Sequence, residues 1–284
     1  MTHNHTYGSP AQLTLEDGRK LHYWKHGEGG PTVVFESGMG FSGYIWGQVQ
    51  PEVAKLASTV VYDRAGLGRS DDRKGPSDLA AAVADLAALL RSLSSQSPFV
   101  LVGASWGGNI IRALAAEAEF PIRGLVLVDQ SDENAPEYFE PEGRKRFESM
   151  TKFMVPMAKL GFYRLIGLGV GKKQPKDVRQ DLLTYDFTVR SAQAMQAEIK
   201  GFLQDMQSMK DNPSRLEGVE VSVISGTKVN WMEKKQRPAV NRAHKLTAES
   251  LAQGRFVKAR NSGHYVMFDE PELVISEIAR VLGV

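Results

Sequence analysis

The sequence predicts an α/β fold, a mostly parallel sheet flanked by helices with a helical cap inserted into it. Three observations lead there. Short β-branched runs alternate with stretches of helical spacing, the pattern of a parallel sheet covered on both faces. Residues 99–108 pass from an apolar run through Gly103-Ala104-Ser105-Trp106-Gly107 into a helical pattern, a strand, a tight turn and a helix built around one serine. The interval between the runs ending near Val128 and starting near Val219 is too long for one crossover and is rich in aromatics and methionines.

In chain order, residues 13–24 alternate apolar and polar around Asp17-Gly18, the signal of a hairpin. Further strand-like runs follow at 32–35, 59–62, 99–102, 125–128, 219–224 and 255–258, so that hairpin and runs together make an eight-stranded sheet. Helical spacing is clearest at 79–93 and 106–117, and Pro271 falls in the first turn of a last amphipathic helix over 270–282. The division expected is a core of residues 1–130 and 216–284, with the cap at 131–215.

Composition excludes several functions. The 284 residues contain 35 basic and 33 acidic side chains without a basic, aromatic-interleaved stripe, which argues against a nucleic-acid partner. No cysteine is present, so disulfides, thiolate metal sites and a cysteine nucleophile are excluded. The N-terminus lacks a basic region followed by an apolar one, and no run reaches membrane-spanning length. The expectation is a soluble, cytoplasmic protein without a membrane span. No segment marks an oligomer interface.

Ser105 is the candidate nucleophile, because the glycines on either side of it allow the close strand-to-helix approach of a nucleophile elbow. A serine hydroxyl needs a base, and the base needs a carboxylate to orient it. Of six histidines, His3 and His5 lie in the N-terminal tail, His22 and His26 in or beside the hairpin, and His244 inside a predicted helix. His264, in Asn261-Ser262-Gly263-His264-Tyr265, falls in a loop between the last strand and the last helix, at the same sheet edge as the elbow. For the acid, Asp129 ends the apolar run at 125–128, with Asp132 close behind. After the run at 219–224 no carboxylate occurs before Glu233, and Asn230 has no charge to offer. Asp129 is preferred, with Asp132 and Glu233 as alternatives. Oxyanion donors are expected from the backbone N–H groups of Trp106 and of Met39, the latter in Glu36-Ser37-Gly38-Met39-Gly40.

With these motifs in this order, the chain resembles the α/β-hydrolase fold superfamily over nearly its whole length. Tyr62-Asp63-Arg64-Ala65-Gly66-Leu67-Gly68-Arg69-Ser70 is similar to the D-R-x-G-x-G-x-S turn after that family's fourth strand, where the turn is mainly architectural. An acid after the sixth strand, as in one group of haloalkane dehalogenases, is the arrangement that Asp129 matches. Dehalogenases and epoxide hydrolases of the family use an aspartate nucleophile, so Ser105 implies esterase-like chemistry instead. The family's oxyanion loop often begins His-Gly, whereas Glu36-Ser37-Gly38 stands here. Glu36 or Ser37 is therefore expected to adjust water or substrate near the oxyanion, the plainer reading being that Glu36 only orders the loop.

In the cap, Met150, Met154 and Met157 are spaced four and three residues apart on one helical face and, with Phe153, are expected to line an acyl pocket or to pack the cap down. The expected reaction is hydrolysis of a carboxylic ester or lactone of a small, largely apolar substrate through an acyl-enzyme. Water is the second substrate, and no cofactor and no metal is implied. One alternative is amide hydrolysis of the aminopeptidase type, for which Glu133, Glu137, Glu140 and Glu142 would supply an amine site; another is a non-catalytic small-ligand binding protein.

Overall fold

The computed structural model describes residues 5–93, 97–229, 233–234 and 236–284; the readings of His3 and Asn230 lie outside them. The sheet opens with a hairpin of β1 (Ser9–Thr14) and β2 (Lys20–His26), antiparallel with Thr14 opposite Lys20. Gly18 closes the turn at φ 83°, a backbone conformation that glycine adopts without steric penalty. Six strands follow: β3 (Thr32–Glu36), β4 (Thr59–Tyr62), β5 (Phe99–Ala104), β6 (Ile122–Val128), β7 (Glu220–Gly226) and β8 (Gly254–Ala259). They form one 8-stranded sheet in the order β1-β2-β4-β3-β5-β6-β7-β8, antiparallel as far as β2/β4 and parallel from there on.

The two faces of the sheet are read off the strands by their period of two. Val33 and Phe35 of β3, Val100 and Val102 of β5 and Val126 and Val128 of β6 join one apolar cluster. The intervening Val34, Leu101, Leu125 and Leu127 join the other. Helices cover both sides. α1 (Gln50–Val53), α9 (Val266–Asp269) and α10 (Pro271–Leu282) supply residues to the first cluster. α2 (Leu79–Ser92), α3 (Trp106–Ala116) and α8 (Arg237–Ser250) supply the second. Asp78 caps α2 by accepting the Ala81 N–H at 2.9 Å.

Between β6 and β7 lie four helices: α4 (Pro141–Lys159), α5 (Phe162–Val170), α6 (Lys176–Tyr185) and α7 (Val189–Asp211). α7 starts at a reciprocal cap between Thr188 and Ser191. This insertion is seated on the core at two places: Val178 and Leu182 of α6 pack in the cluster of Trp46 and Phe35, and Phe202 and Met206 of α7 in the cluster of Trp106 and Ile110.

Candidate active site

Ser105 occupies the turn between β5 and α3 at φ 51° and ψ −124°, a conformation rarely adopted by a residue with a side chain. Two glycines make the turn possible. A Cβ on Gly103 would stand 2.6 Å from the Gly107 carbonyl oxygen, and one on Gly107 would stand 2.6 Å from the carbonyl oxygens of Glu36 and Ser37. The serine is tied to the chain that follows β6: its N–H donates to the Val128 carbonyl at 3.1 Å, and its carbonyl accepts the Ser131 N–H at 3.0 Å. The sheet's parallel register thus delivers the residues after β5 and β6 to one edge.

Asp129, the first residue after β6, is buried and held at φ 44°. Its Oδ2 faces His264 Nδ1 at 2.8 Å, and its Oδ1 accepts the Gly226 N–H at 2.8 Å. Arg237 Nη1 donates to both carboxylate oxygens at 2.8 Å. Burial pushes the Asp129 carboxyl up, but the His264 hydrogen bond and the positive charge of His244, His264 and Arg237 outweigh it and hold the group at about 2. The loop carrying His264 is pinned from behind, where Glu270 Oε2 accepts the Ser262 hydroxyl at 2.6 Å and the Asn261 N–H at 2.9 Å. His244 is committed elsewhere, with Nδ1 at 2.7 Å from Ser225 Oγ and Nε2 at 2.8 Å from the Gln130 carbonyl.

The alternative acids stand in other surroundings. Asp132 is buried and accepts Gln130 Nε2 at 3.0 Å, the Asn134 N–H at 2.9 Å and the Thr247 hydroxyl at 2.7 Å, the bonds of a loop-ordering carboxylate. Glu233 borders the same cavity as His264 and lies 3.4 Å from Arg237 Nε.

The loop after β3 is set by a buried arginine. Arg64 Nη1 donates to the Ser37 carbonyl at 2.6 Å and Nη2 to the Gly38 carbonyl at 2.7 Å, while the guanidinium lies over the Trp106 ring at 5.1 Å. Its charge is met on two sides, by Glu36 Oε1 at 2.6 Å and by Glu198 Oε1 of α7 at 2.9 Å. Glu198 Oε2 also accepts the Gly40 N–H at 2.7 Å, so the insertion clamps the loop that carries Met39. The Trp106 N–H is in the first turn of α3, where no intrahelical acceptor exists.

These residues open onto a cavity of about 590 Å³. Ser105, His264, Asp129, Met39, Trp106 and Met150 border it, together with Phe41, Phe147, Met195 and Met267. Five expected pocket residues do not, and each reading is corrected for a local reason. Glu36, last in β3, turns into the sheet and accepts both the Tyr62 hydroxyl and Arg64; burial pushes its carboxyl up, with Arg64 opposing. Ser37 donates its hydroxyl to the Ser42 carbonyl at 2.8 Å. Met154 is buried against Ala192 and Ile199 of α7, and Phe153 and Met157 face outward from α4. Of the acidic group at the start of the insertion, Glu137 borders the cavity, whereas Glu133 is paired with Arg112 at 2.6 Å. Sequence reasoning missed Arg237, Glu198 and the Arg146–Glu137 pair at 3.9 Å on the cavity wall. Among the described residues, no cluster of three or more histidine and carboxylate side chains is placed to hold a metal ion.

The profile of the Alpha/beta hydrolase family matches residues 33–277. Among solved structures, a thermophilic esterase from Thermogutta terrifontis superposes with a TM-score of 0.74 at 20% identity, covering 97% of this chain and 98% of that one. Among curated proteins, the uncharacterized protein YqjL of Bacillus subtilis is 30% identical over 105 residues, 37% of this chain and 42% of its own length. A haloalkane dehalogenase of Sphingobium indicum is 35% identical over 116 residues, 39% of each chain. The chain thus spans about two fifths of the length of the first curated relatives it matches, 42% and 39% for two of them. With a match that runs from the first residues of β3 into α10, on a sheet of this order, the chain belongs to the Alpha/beta hydrolase family.

Proposed function

We propose that this protein is a serine hydrolase that cleaves a carboxylic ester or lactone of a small, largely apolar substrate, with residues 131–215 acting as a cap over a core of residues 1–130 and 216–284. The observation that carries the reading is the 2.8 Å contact of His264 Nδ1 with the buried Asp129 carboxylate, in a cavity that Ser105 enters from a strained elbow. In this mechanism, His264 Nε2 takes the Ser105 hydroxyl proton as Oγ attacks the substrate carbonyl carbon. Asp129 holds the imidazole with Nδ1 protonated and balances the positive charge it gains. The Met39 and Trp106 amides stabilise the oxyanion. Collapse expels the alcohol, which takes the proton back from His264. Water then repeats the sequence on the acyl-enzyme, releasing the acid and free Ser105.

An aspartate nucleophile would suit dehalogenation or epoxide opening; Ser105 does not. An amine site is poorly supplied, because the one carboxylate of the acidic group on the cavity wall, Glu137, has Arg146 beside it and burial pushes its carboxyl up. A panel of aryl esters, alkyl esters, lactones and aminoacyl anilides, assayed on wild type and on Ser105→Ala, tests the reading. Ester or lactone turnover lost in Ser105→Ala, with fluorophosphonate labelling of Ser105, is the expected result. No labelling of the folded protein would point to a ligand-binding role, and turnover of anilides alone to an amidase.

A further inference from the structure

We infer that the outer face of α4 and α5 is a docking surface for an anionic lipid bilayer. α5 is apolar apart from the exposed Arg164. Its inner residues Tyr163 and Gly167 pack on Phe187, leaving Phe162, Leu165 and Ile166 exposed; with Phe153 of α4 and Leu160 just after it, these are 49% to 73% exposed. Large apolar side chains left exposed in this number on two successive helices mark an interaction site. α4 and the segment Phe162–Lys173 meet at 97° and together have the length and apolar composition of a broken span or a re-entrant segment, although no single helix among the described residues is long and apolar enough to cross a membrane. The arrangement fits an element lying in the membrane interface.

Charge selects the occupant. Residues 144–176 contain nine Lys and Arg and a single carboxylate, Glu148, in a chain whose net charge is +2. All nine basic residues are exposed, and among the described residues only Arg146 and Lys173 have a carboxylate within ion-pairing distance. Exposed basic residues interspersed with exposed apolar ones along the same helices are the composition that anionic headgroups attract. A second copy of this chain is the poorer partner, because a two-fold contact would bring the same nine exposed basic residues against themselves. The surface also abuts the cavity: Arg146, Phe147 and Met150, on the same α4, are part of its wall. A docked protein would therefore hold its cavity close to membrane-borne acyl chains.

The test is sedimentation of the protein with phosphatidylcholine vesicles, plain or mixed with phosphatidylglycerol, at low and high salt. It needs no turnover, so it stands or falls apart from the proposed hydrolysis. Partitioning onto the mixed vesicles at least about tenfold above plain ones, and weakened by salt, is expected. The triple variant Lys152→Glu, Lys159→Glu, Lys172→Glu should lose about a hundredfold or more. Leu160→Ser with Leu165→Ser should also release the protein from vesicles while leaving its melting temperature unchanged, since both side chains already face water. Equal partitioning onto both vesicle types, no partitioning, or a solution dimer that Leu160→Ser dissociates would each overturn the inference.

Discussion

Arg237 places one guanidinium nitrogen 2.8 Å from each carboxylate oxygen of Asp129, and so shares Oδ2 with His264 Nδ1. The carboxylate therefore meets the Arg237 guanidinium and the His264 imidazole at once, and is itself almost wholly buried. An isolated buried carboxylate would shed its charge by binding a proton; here the surrounding positive groups keep it ionised down to about 2, the state in which it can orient an imidazole. Among the described residues Arg237 has no hydrogen bond to His264 or Ser105, so in the proposed mechanism it is a positioning residue.

Asp129→Asn should lower kcat about ten thousandfold, because an amide can present its N–H to His264 and favour the wrong tautomer. Arg237→Met should lower stability by about 3–5 kcal/mol, the usual result of stranding one partner of a buried ion pair. The double variant discriminates between the roles: it should melt above Arg237→Met, since no unpaired charge remains, yet stay as inactive as Asp129→Asn. Glu233→Gln should cost less than about tenfold in the same assay, because Glu233 meets Arg237 rather than supplying the Asp129 contact. A large loss confined to Glu233→Gln would transfer the acid's role to that residue.

Much of this arrangement follows from local rules. The elbow is legible because the sterics of a tight strand-to-helix turn demand small residues at Gly103 and Gly107, and Asp129 because it ends an apolar run at a sheet edge. The alternation Val100, Leu101, Val102 is enough to assign each side chain to a face. What stays hidden are pairings made only by the fold: Arg64 meets Glu198 across 134 residues, and Arg237 meets Asp129 across 108. The methionines of α4 show a different limit. Their spacing puts them on one face, but only packing decides that α7 covers Met154 and leaves Met157 outside.

Glu198 links the insertion to the loop that carries Met39, the proposed oxyanion donor, so its removal should affect rate more than binding. In Glu198→Ala the Gly40 N–H and Arg64 Nε both lose their acceptor, and the Met39 amide loses its fixed aim. A fall in kcat of about 10–100-fold with KM nearly unchanged is expected, short of the loss seen when an oxyanion donor is removed outright. A rise in KM at constant kcat would place Glu198 in substrate binding instead.

Asp186 should make stability decline as pH rises from the acid range to about 8, and level off above that. Burial raises its carboxyl to about 8 from the ordinary 3.8; the Ser42 hydrogen bonds oppose this, and the Asp63 charge adds to it. A raised carboxyl contributes stability fully below its unfolded value, and that contribution drains away as pH climbs through the folded one. The wild-type melting temperature should therefore fall between pH 5 and 8. Asp186→Asn, which can still accept from Ser42, should gain on wild type across that window and keep a constant lead above it. Parallel pH profiles for the two proteins would refute the assignment.

Gly107→Ala tests how closely elbow and oxyanion loop must approach. The added methyl would meet the Glu36 and Ser37 carbonyl oxygens at 2.6 Å, and neither can retreat freely: the Ser37 carbonyl is held by Arg64, and Glu36 is the last residue of β3. Relief must come from the backbone, by separating the Met39 amide from Ser105. Overpacking of this kind costs about 1–3 kcal/mol, and misplacing one oxyanion donor should lower kcat about 10²–10³-fold. Gly169→Ala in α5 is the matched comparison, since its methyl meets nothing within 4 Å. It should stabilise the protein by about 0.5–1 kcal/mol through helix propensity alone and leave turnover unchanged. Equal behaviour of the two alanine variants would show that the approach of strand and helix at Gly107 is not what holds the oxyanion loop against the serine.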